Sequence, residues 1–311
     1  MTLLYTDPLF LTHDTGAHVE TAERLRSITA RLEMTGLSKK CRAGAFQPLE
    51  EAEVTRLHDP RQVVQVKQFC EHGGGRLDAD TVVSRESLKV ALGAAGACCS
   101  AVDAVLEGQD ATALCLVRPP GHHATPLRSM GFCLFNNVAL AAQRARKRHK
   151  LERILIVDWD VHHGNGTQDI FYADPEVLFY SIHRYPFYPG TGSKEETGTG
   201  RGLGFTLNVP LRFGVSRKEY FASFTAALAT AADRIKPQLV LLSAGFDAHA
   251  EDPIGSLGLE TEDFGALTTA VLDVARSHAS GRLVSCLEGG YNTQRLAESV
   301  EVHLRTLLDA R

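Results

Sequence analysis

Leu155–Asn165, LIVDWDVHHGN, decides the fold. Three aliphatic residues, two of them β-branched, run straight into two aspartates, two histidines, a glycine and an asparagine. A short apolar run of this kind reads as a strand buried on both faces. The polar density that follows lies where an open parallel sheet gathers ligands, at the carboxyl end of a strand. Asp158, Asp160 and His162 recur with period two, so on an extended strand end their side chains point the same way and can chelate a cation.

Outward from this stretch the same rhythm repeats. Strands are expected at Leu3 to Tyr5, Ala113 to Val117, Ile154 to Asp158, Val177 to Ile182, Phe205 to Val209, Leu239 to Ser243 and Leu283 to Leu287, with a weaker one near Ala45. Helices are expected at Glu86 to Leu106, Asn137 to His149, Arg217 to Ile235, Thr261 to His278 and Thr293 to Leu308. Apolar strands alternating with helices give a three-layer α/β fold, a mainly parallel sheet of about eight strands covered on both faces. With no repeat, linker or low-complexity tract, residues 1–311 are expected to form one domain.

Each polar cluster follows a strand. LVRPPGHHA comes after the strand ending at Val117, SAGFDAHAEDP after Leu239 to Leu242, and CLEGGYN after Leu283 to Ser285. His122, His123, Asp158 to Asn165, Asp247 and Tyr291 are therefore delivered to one rim. Asp160 and His162 offer an oxygen and a nitrogen to a zinc-type ion, and Asp247 completes three protein ligands with a position left for water. Oxygen-rich ligation also admits Fe(II), Co(II) or Mn(II). The bland alternatives are a helix cap at Asp160 and a turn residue at Asp247. Company decides against them: a lone cap does not explain Asp158, His162, His163 and Asn165 alongside.

Two prolines and Gly121 make a rigid turn before the tandem histidines, which can serve as general base and acid if partners set their basicities apart. Asp158 behind one ring and Asn165 behind the other would do so. Tyr291 beside Gly289 and Gly290 is either a core aromatic or a phenol donor to a developing oxyanion.

Composition excludes other classes. The formal net charge is −4 without long like-sign runs, which gives no basic field for nucleic acid. The one basic cluster, RARKRHK from Arg144 to Lys150, suits a solvated helix end. Seven cysteines with no C-x-x-C pair suggest neither a disulfide framework nor a thiolate zinc site, and fit a reducing cytoplasm. The N-terminus MTLLYTDPLF lacks the basic and apolar regions of an export signal, and no apolar run is expected to reach the ~20 residues that span a bilayer.

Taken together, RPPGHHA, GFCLFNN, DWDVHHGNGTQDIFY, FYPGTG, SAGFDAH and LEGGYN, in this order over nearly the whole chain, resemble the zinc-dependent histone deacetylases. The likeness is closest to the class II flavour and to bacterial relatives, the histone deacetylase-like amidohydrolases, acetoin-utilisation proteins and acetylpolyamine amidohydrolases. The resemblance implies the arginase/deacetylase fold, with Asp160, His162 and Asp247 as zinc ligands, His122 and His123 as the acid/base pair, Asp158 and Asn165 as their partners, and Tyr291 as the phenol that polarises the amide carbonyl. It also implies an acyl-lysine tunnel walled by Phe132, Tyr188, Gly290 and Ile254, and a structural potassium served by Asp158, Asp160, His162, Ser181 and Ile182.

This sequence departs from the pattern in two places: GAHVETAERL replaces a Gly-His-Pro-Glu-x-Pro-like run, putting the rim role of His18 and Glu20 in question, and Tyr188 stands where phenylalanine is usual. The implied activity is metal-assisted hydrolysis of an acyl-lysine amide in a protein or peptide, with no direct nucleic-acid or membrane partner. Three alternatives are an acetylpolyamine amidohydrolase, a catalytically silent acyl-lysine binder, and an arginase-type binuclear enzyme. The last needs carboxylates where Gly164 and His249 stand. Polyamine-selective relatives carry an acid after the Asp-Pro of the third motif; here EDPIGS has Ile254, with Glu251 and Asp252 nearby.

Overall fold

The computed structural model describes residues 1–309. Its strands are β1 (Thr2–Tyr5), β2 (Arg42–Ala43), β3 (Gly74–Arg76), β4 (Val82–Ser84), β5 (Thr112–Cys115), β6 (Ile154–Asp158), β7 (Val177–Arg184), β8 (Thr206–Leu211), β9 (Leu239–Ala244) and β10 (Leu283–Leu287). Its helices are α1 (Glu23–Met34), α2 (Glu51–Val54), α3 (Pro60–Glu71), α4 (Ser87–Leu106), α5 (Asn137–His149), α6 (Asn165–Phe171), α7 (Arg217–Ile235), α8 (Asp263–His278) and α9 (Thr293–Asp309).

Eight strands pair in the order β2-β1-β5-β10-β9-β6-β7-β8, parallel at every junction, while β3 and β4 form a separate antiparallel hairpin. Helices α4, α5 and α6 cover one face and α1, α7, α8 and α9 the other, the three layers expected from the strand–helix alternation. Central strands β5, β6, β9 and β10 are buried at every residue, which is why they read as unbroken apolar runs. The edge strand β8 carries Pro210, whose missing N–H is tolerated at an edge.

Local chemistry sets several boundaries. Asn136 caps α5 by accepting from the Ala139 amide, four basic residues occupy its last turn, and Lys150 closes it in the left-handed conformation at φ 59°. Ser216 caps α7 in the same way through the Glu219 amide. The basic cluster on α5 is less open than its composition suggests: Arg144 and Arg148 pair with Asp103, His149 also reaches Asp103, and Arg146 meets Asp174 and Glu176.

Helix α4 corrects one expectation. It is a twenty-residue helix apolar enough, by length and composition, to cross a membrane. Most of it is buried within the fold, and its small residues allow close packing: a Cβ at Gly96 would lie 2.1 Å from the Gln47 carbonyl. Here the apolarity serves a core helix. Strand β5 also stops at Cys115, short of Val117, and α1, α3, α6 and the β3–β4 hairpin were not expected at all.

Candidate metal and active site

Strands β5, β10, β9 and β6 are four consecutive central strands, so the loops after them meet although they lie far apart in sequence. Beyond β6 the chain does not continue extended, as the period-two spacing predicted. It turns, because each aspartate captures a backbone amide two residues on: Asp158 Oδ1 accepts from the Asp160 amide (3.1 Å) and Asp160 Oδ1 from the His162 amide (2.9 Å). Asp247 Oδ1 holds the Val161 amide at 2.9 Å and locks the turn to the β9 loop.

Asp160, His162 and Asp247, all buried, each present one ligand atom, and these atoms lie within 4.8 Å of one another. His162 Nδ1 stands 3.0 Å from Asp160 Oδ1 and 3.2 Å from Asp247 Oδ2, and the latter oxygen, though buried, has no hydrogen bond. Burial, and after it the Asp160 charge, pushes Asp247 up to about 7. Burial lowers the His162 ring, but Asp160 and Asp247 outweigh it and hold the ring at about 9. Two buried acids thus call for a positive charge at the point all three side chains face, and the donor set fits a divalent cation. Glycines keep the space clear. A Cβ at Gly289 would lie 2.1 Å from Asp247 Oδ2, and one at Gly245 2.1 Å from Asp160 Oδ2.

The tandem histidines sit beside this trio, with ring centroids 4.0 Å apart. His122 Nδ1 faces Asp158 Oδ2 at 3.0 Å, and His123 Nδ1 faces Asn165 Oδ1 at 2.8 Å. Burial opposes the charged ring at both, yet the outcomes diverge. At His122 the Asp158 and Asp160 charges prevail and raise it to about 10; at His123 burial is reinforced by His122 and His162, which drives it well below its ordinary value. One imidazole is held cationic and its neighbour neutral. Gly131, at φ 57°, sits under the second ring, where a Cβ would come within 2.4 Å of His123 Cδ2.

A cavity of about 210 Å³ opens onto these groups, lined by Asp80, His123, Gly131, Phe132, His162, Phe187, Tyr188, Ile254 and Tyr291. Phe132 meets Tyr291 edge-on at 5.7 Å, Tyr188 meets His123 edge-on at 5.1 Å, and Phe187 stacks on His162 at 5.2 Å. Burial raises the Tyr291 phenol well above its ordinary value, so it keeps its proton as a donor. Gly290 does not line the cavity: a Cβ there would meet Leu296 and Phe246, and its carbonyl accepts from Arg24 Nε at 2.6 Å.

Several expectations about the rim change. Glu20 is fully buried, bonded by Arg118 at 2.5 and 2.7 Å and by Arg24 at 3.1 Å. Arg24 in turn bonds the Glu288 carbonyl and lies 5.0 Å over the Tyr291 ring. His18 does reach the rim, edge-on to Phe132 at 4.5 Å. Asp252 is consumed by the amides of Ile254, Gly255 and Tyr291, and Glu251 pairs with Arg295, so neither stands in for an acid at position 254. His249 turns away to the Glu251 amide and Thr261, so it does not join Asp247 as a ligand to a second ion beside the first.

The residues expected around a potassium ion are neighbours: Asp158 pairs in register with Ser181, Ile182 follows, and Asp160 and His162 come next along the turn. Sequence reasoning missed Arg24, Asp80, Gly131, Phe187 and Glu288. Phe187 precedes Tyr188 in FYPGTG and Glu288 stands within LEGGYN, so motif position could have flagged both; Asp80, in the β3–β4 loop, carried no local signal.

Comparison with known proteins agrees with this geometry. The histone deacetylase domain model matches residues 18–307. The chain is 40% identical over 276 residues to a histone deacetylase-like amidohydrolase of Pseudomonas aeruginosa, covering 88% of this chain and 73% of that one. It is 41% identical over 318 residues to the polyamine deacetylase HDAC10 of Homo sapiens, covering 98% of this chain and 46% of that protein. The crystal structure of the HDA15 HD domain superposes with a TM-score of 0.94 at 34% identity, covering 99% of this chain and 88% of the other. With the family model spanning nearly its whole length, this chain belongs to the histone deacetylase family, whose members are deacetylases and amidohydrolases.

Proposed function

We propose that this chain, acting as one catalytic domain in the cytoplasm, is a metal-dependent amidohydrolase that removes acetyl groups from the ε-amine of lysine in proteins or peptides. The observation that carries the reading is the lining: Ile254, at the position where polyamine-selective relatives carry an acid, joins Phe132, Phe187 and Tyr188 in apolar surface that suits a lysine stem, and Asp80 is the one carboxylate on the cavity wall. Asp160, His162 and Asp247 would hold Zn²⁺, with Fe²⁺ or Co²⁺ as substitutes, and the ion when bound supplies a polarised acyl carbonyl and a water of pKa near ~7. A structural K⁺ is assigned to Asp158, Asp160, His162, Ser181 and Ile182.

His123, neutral and oriented by Asn165, takes a proton from the attacking water and returns it to the leaving amine. His122 stays cationic against Asp158 and keeps positive charge beside the developing oxyanion. Tyr291 donates its phenol hydrogen to that oxyanion. Asp80 on the cavity wall gives an incoming substrate a hydrogen-bond acceptor.

A second reading, acetylpolyamine hydrolysis, draws on the similarity to the human polyamine deacetylase. The discriminating measurement is kcat/KM for an acetyl-lysine peptide against N-acetylputrescine and acetylspermidine. The peptide is expected to win, and Ile254→Glu to shift the ratio toward the polyamines. A roughly tenfold or greater polyamine preference in the wild type, about 1.4 kcal/mol of discrimination, would make the second reading the right one.

A further inference from the structure

We propose that Glu288 is a positioning residue: its carboxylate fixes the backbone of the tandem-histidine loop and so aims His122 and His123, an inference that rests on the amidohydrolase reading. Glu288 follows β10 and is fully buried. Its Oε2 accepts from two successive amides, Gly121 (2.7 Å) and His122 (3.2 Å), and its Oε1 accepts from Ser243 Oγ (3.1 Å). Its own amide bonds the Ala244 carbonyl at 3.0 Å, and its carbonyl takes a bond from Arg24. One residue thus ties together the ends of β5, β9 and β10 and helix α1.

No lysine, arginine or histidine side-chain nitrogen among the described residues lies within 4.0 Å of this carboxylate, whose partners are two backbone amides and a hydroxyl, so it is not one half of a direct ion pair. A buried acid without a counter-ion is expensive, and an apolar side chain would fill the same space at less cost. What the acid secures is two amides that would otherwise be buried without a partner. The loop is held from its other side by α5: Asn137 Nδ2 bonds the Pro119 carbonyl at 3.1 Å, and a Cβ at Gly121 would lie 2.5 Å from the Asn137 amide nitrogen. With Glu288 removed, the bonds from α5 and from the Thr167 amide to the His122 carbonyl (3.2 Å) remain, but the Gly121 and His122 amides lose their acceptor.

The bonding also says which substitution should work. Burial, opposed by His122, raises Glu288 to about 7, so the neutral acid is accessible, with Oε2 accepting both amides and Oε1–H donating to Ser243. A glutamine reproduces that pattern, its oxygen for the amides and its amide group for the serine.

The experiment compares Glu288→Ala, Glu288→Gln and Ser243→Ala in the full chain, reading kcat and KM on an acetyl-lysine peptide, bound metal, thermal melting and the imidazole ¹⁵N resonances of His122 and His123. Glu288→Ala is expected to lose roughly 10²-fold in kcat, as misplaced catalytic groups do, with KM and metal content held. Glu288→Gln recovers most of the rate, and Ser243→Ala, which removes one bond of three, falls between them. Wild-type kcat in Glu288→Ala, a loss confined to KM, or a glutamine variant as slow as the alanine one overturns the proposal. If Glu288→Ala does not fold, the glutamine and Ser243→Ala comparison decides. If the wild type itself hydrolyses no acyl-lysine, the functional reading fails separately. The resonances then judge this one: shifted histidine signals in the alanine but not the glutamine variant sustain it, and unshifted signals in the alanine variant refute it.

Discussion

Replacing Glu20 by glutamine should unsettle the fold and the site together, with a size that depends on pH. Glu20 is fully buried between two guanidinium groups, Arg118 and Arg24. Burial alone would raise its carboxyl, but Arg118 and then Arg24 outweigh it and hold it at about 2 against an ordinary 4.5. That depression corresponds to roughly 3 kcal/mol of stability. Because the folded state favours the ionised form, the contribution is complete above the unfolded value of 4.5 and is lost as pH falls toward 2, with about half gone near pH 3. In Glu20→Gln both arginines remain buried against a neutral amide, a defect that typically costs about 3–5 kcal/mol at neutral pH. Denaturant melts of the two proteins from pH 7 to pH 3 provide the assay. His13, lowered to about 4 mainly by burial, titrates in the same range but is present in both proteins. The gap should be several kcal/mol at pH 5 and above and should narrow on acidification. A gap that stays constant between pH 5 and pH 3 would show that the ion network is not what Glu20 contributes. Because Arg24 also holds the Gly290 and Glu288 carbonyls, kcat should fall in the variant even where it is folded.

Tyr291→Phe should lower kcat by about 10²- to 10³-fold, the usual consequence of losing one oxyanion donor, while metal content stays at the wild-type level; undiminished turnover would remove the phenol from the chemistry. Metal analysis of the wild type should find one tightly held transition ion per chain, and Asp247→Asn should lose it, since Asp247 Oδ2 is the acceptor that no other group uses. Two ions per chain, or an asparagine variant that keeps its metal, contradicts the site as drawn. Gly131→Ala should slow turnover by about tenfold or more, because its Cβ would displace His123 and the residue has a positive φ; an unchanged rate would mean that the loop absorbs the clash.

The sequence was most readable where side-chain chemistry and strand position coincide. Ile154–Asp158 and Asn137–His149 match their expected bounds, the first because a β-branched run meets a polar turn, the second because Asn136 and the basic last turn mark both ends. The grouping of Asp160, His162, Asp247, His122 and His123 was legible for the same reason. The first hundred residues were less so. Helix α1 escaped because its inward face includes Arg24, and a charged residue ordinarily reads as surface. The rim role of Glu20 rested on the resemblance and was in question there; Arg118 and Arg24, distant and near in sequence, complete its burial instead. The turn after Asp158 depends on which amides its side chains capture, which spacing alone does not reveal. Nor does any local signal state that β10 lies between β5 and β9: strand order is a long-range property of the sheet.

That order makes the last strand a keystone. Strand β10 is the final one among the described residues, yet it fills the centre of the sheet, with β5 on one side and β9 on the other. Until it inserts, those two strands face each other across a gap with unpaired edges, the condition that invites pairing with other chains. A nascent chain that has emerged only as far as Arg282 already contains Asp160, His162, Asp247 and both tandem histidines, but lacks Glu288, Gly289 and Tyr291 and the wedge that brings the β5 loop to the others. The site is therefore incomplete until β10 has joined β5 and β9. Removing the C-terminal strand and helix should leave an aggregation-prone sheet with a split centre rather than a weakened enzyme.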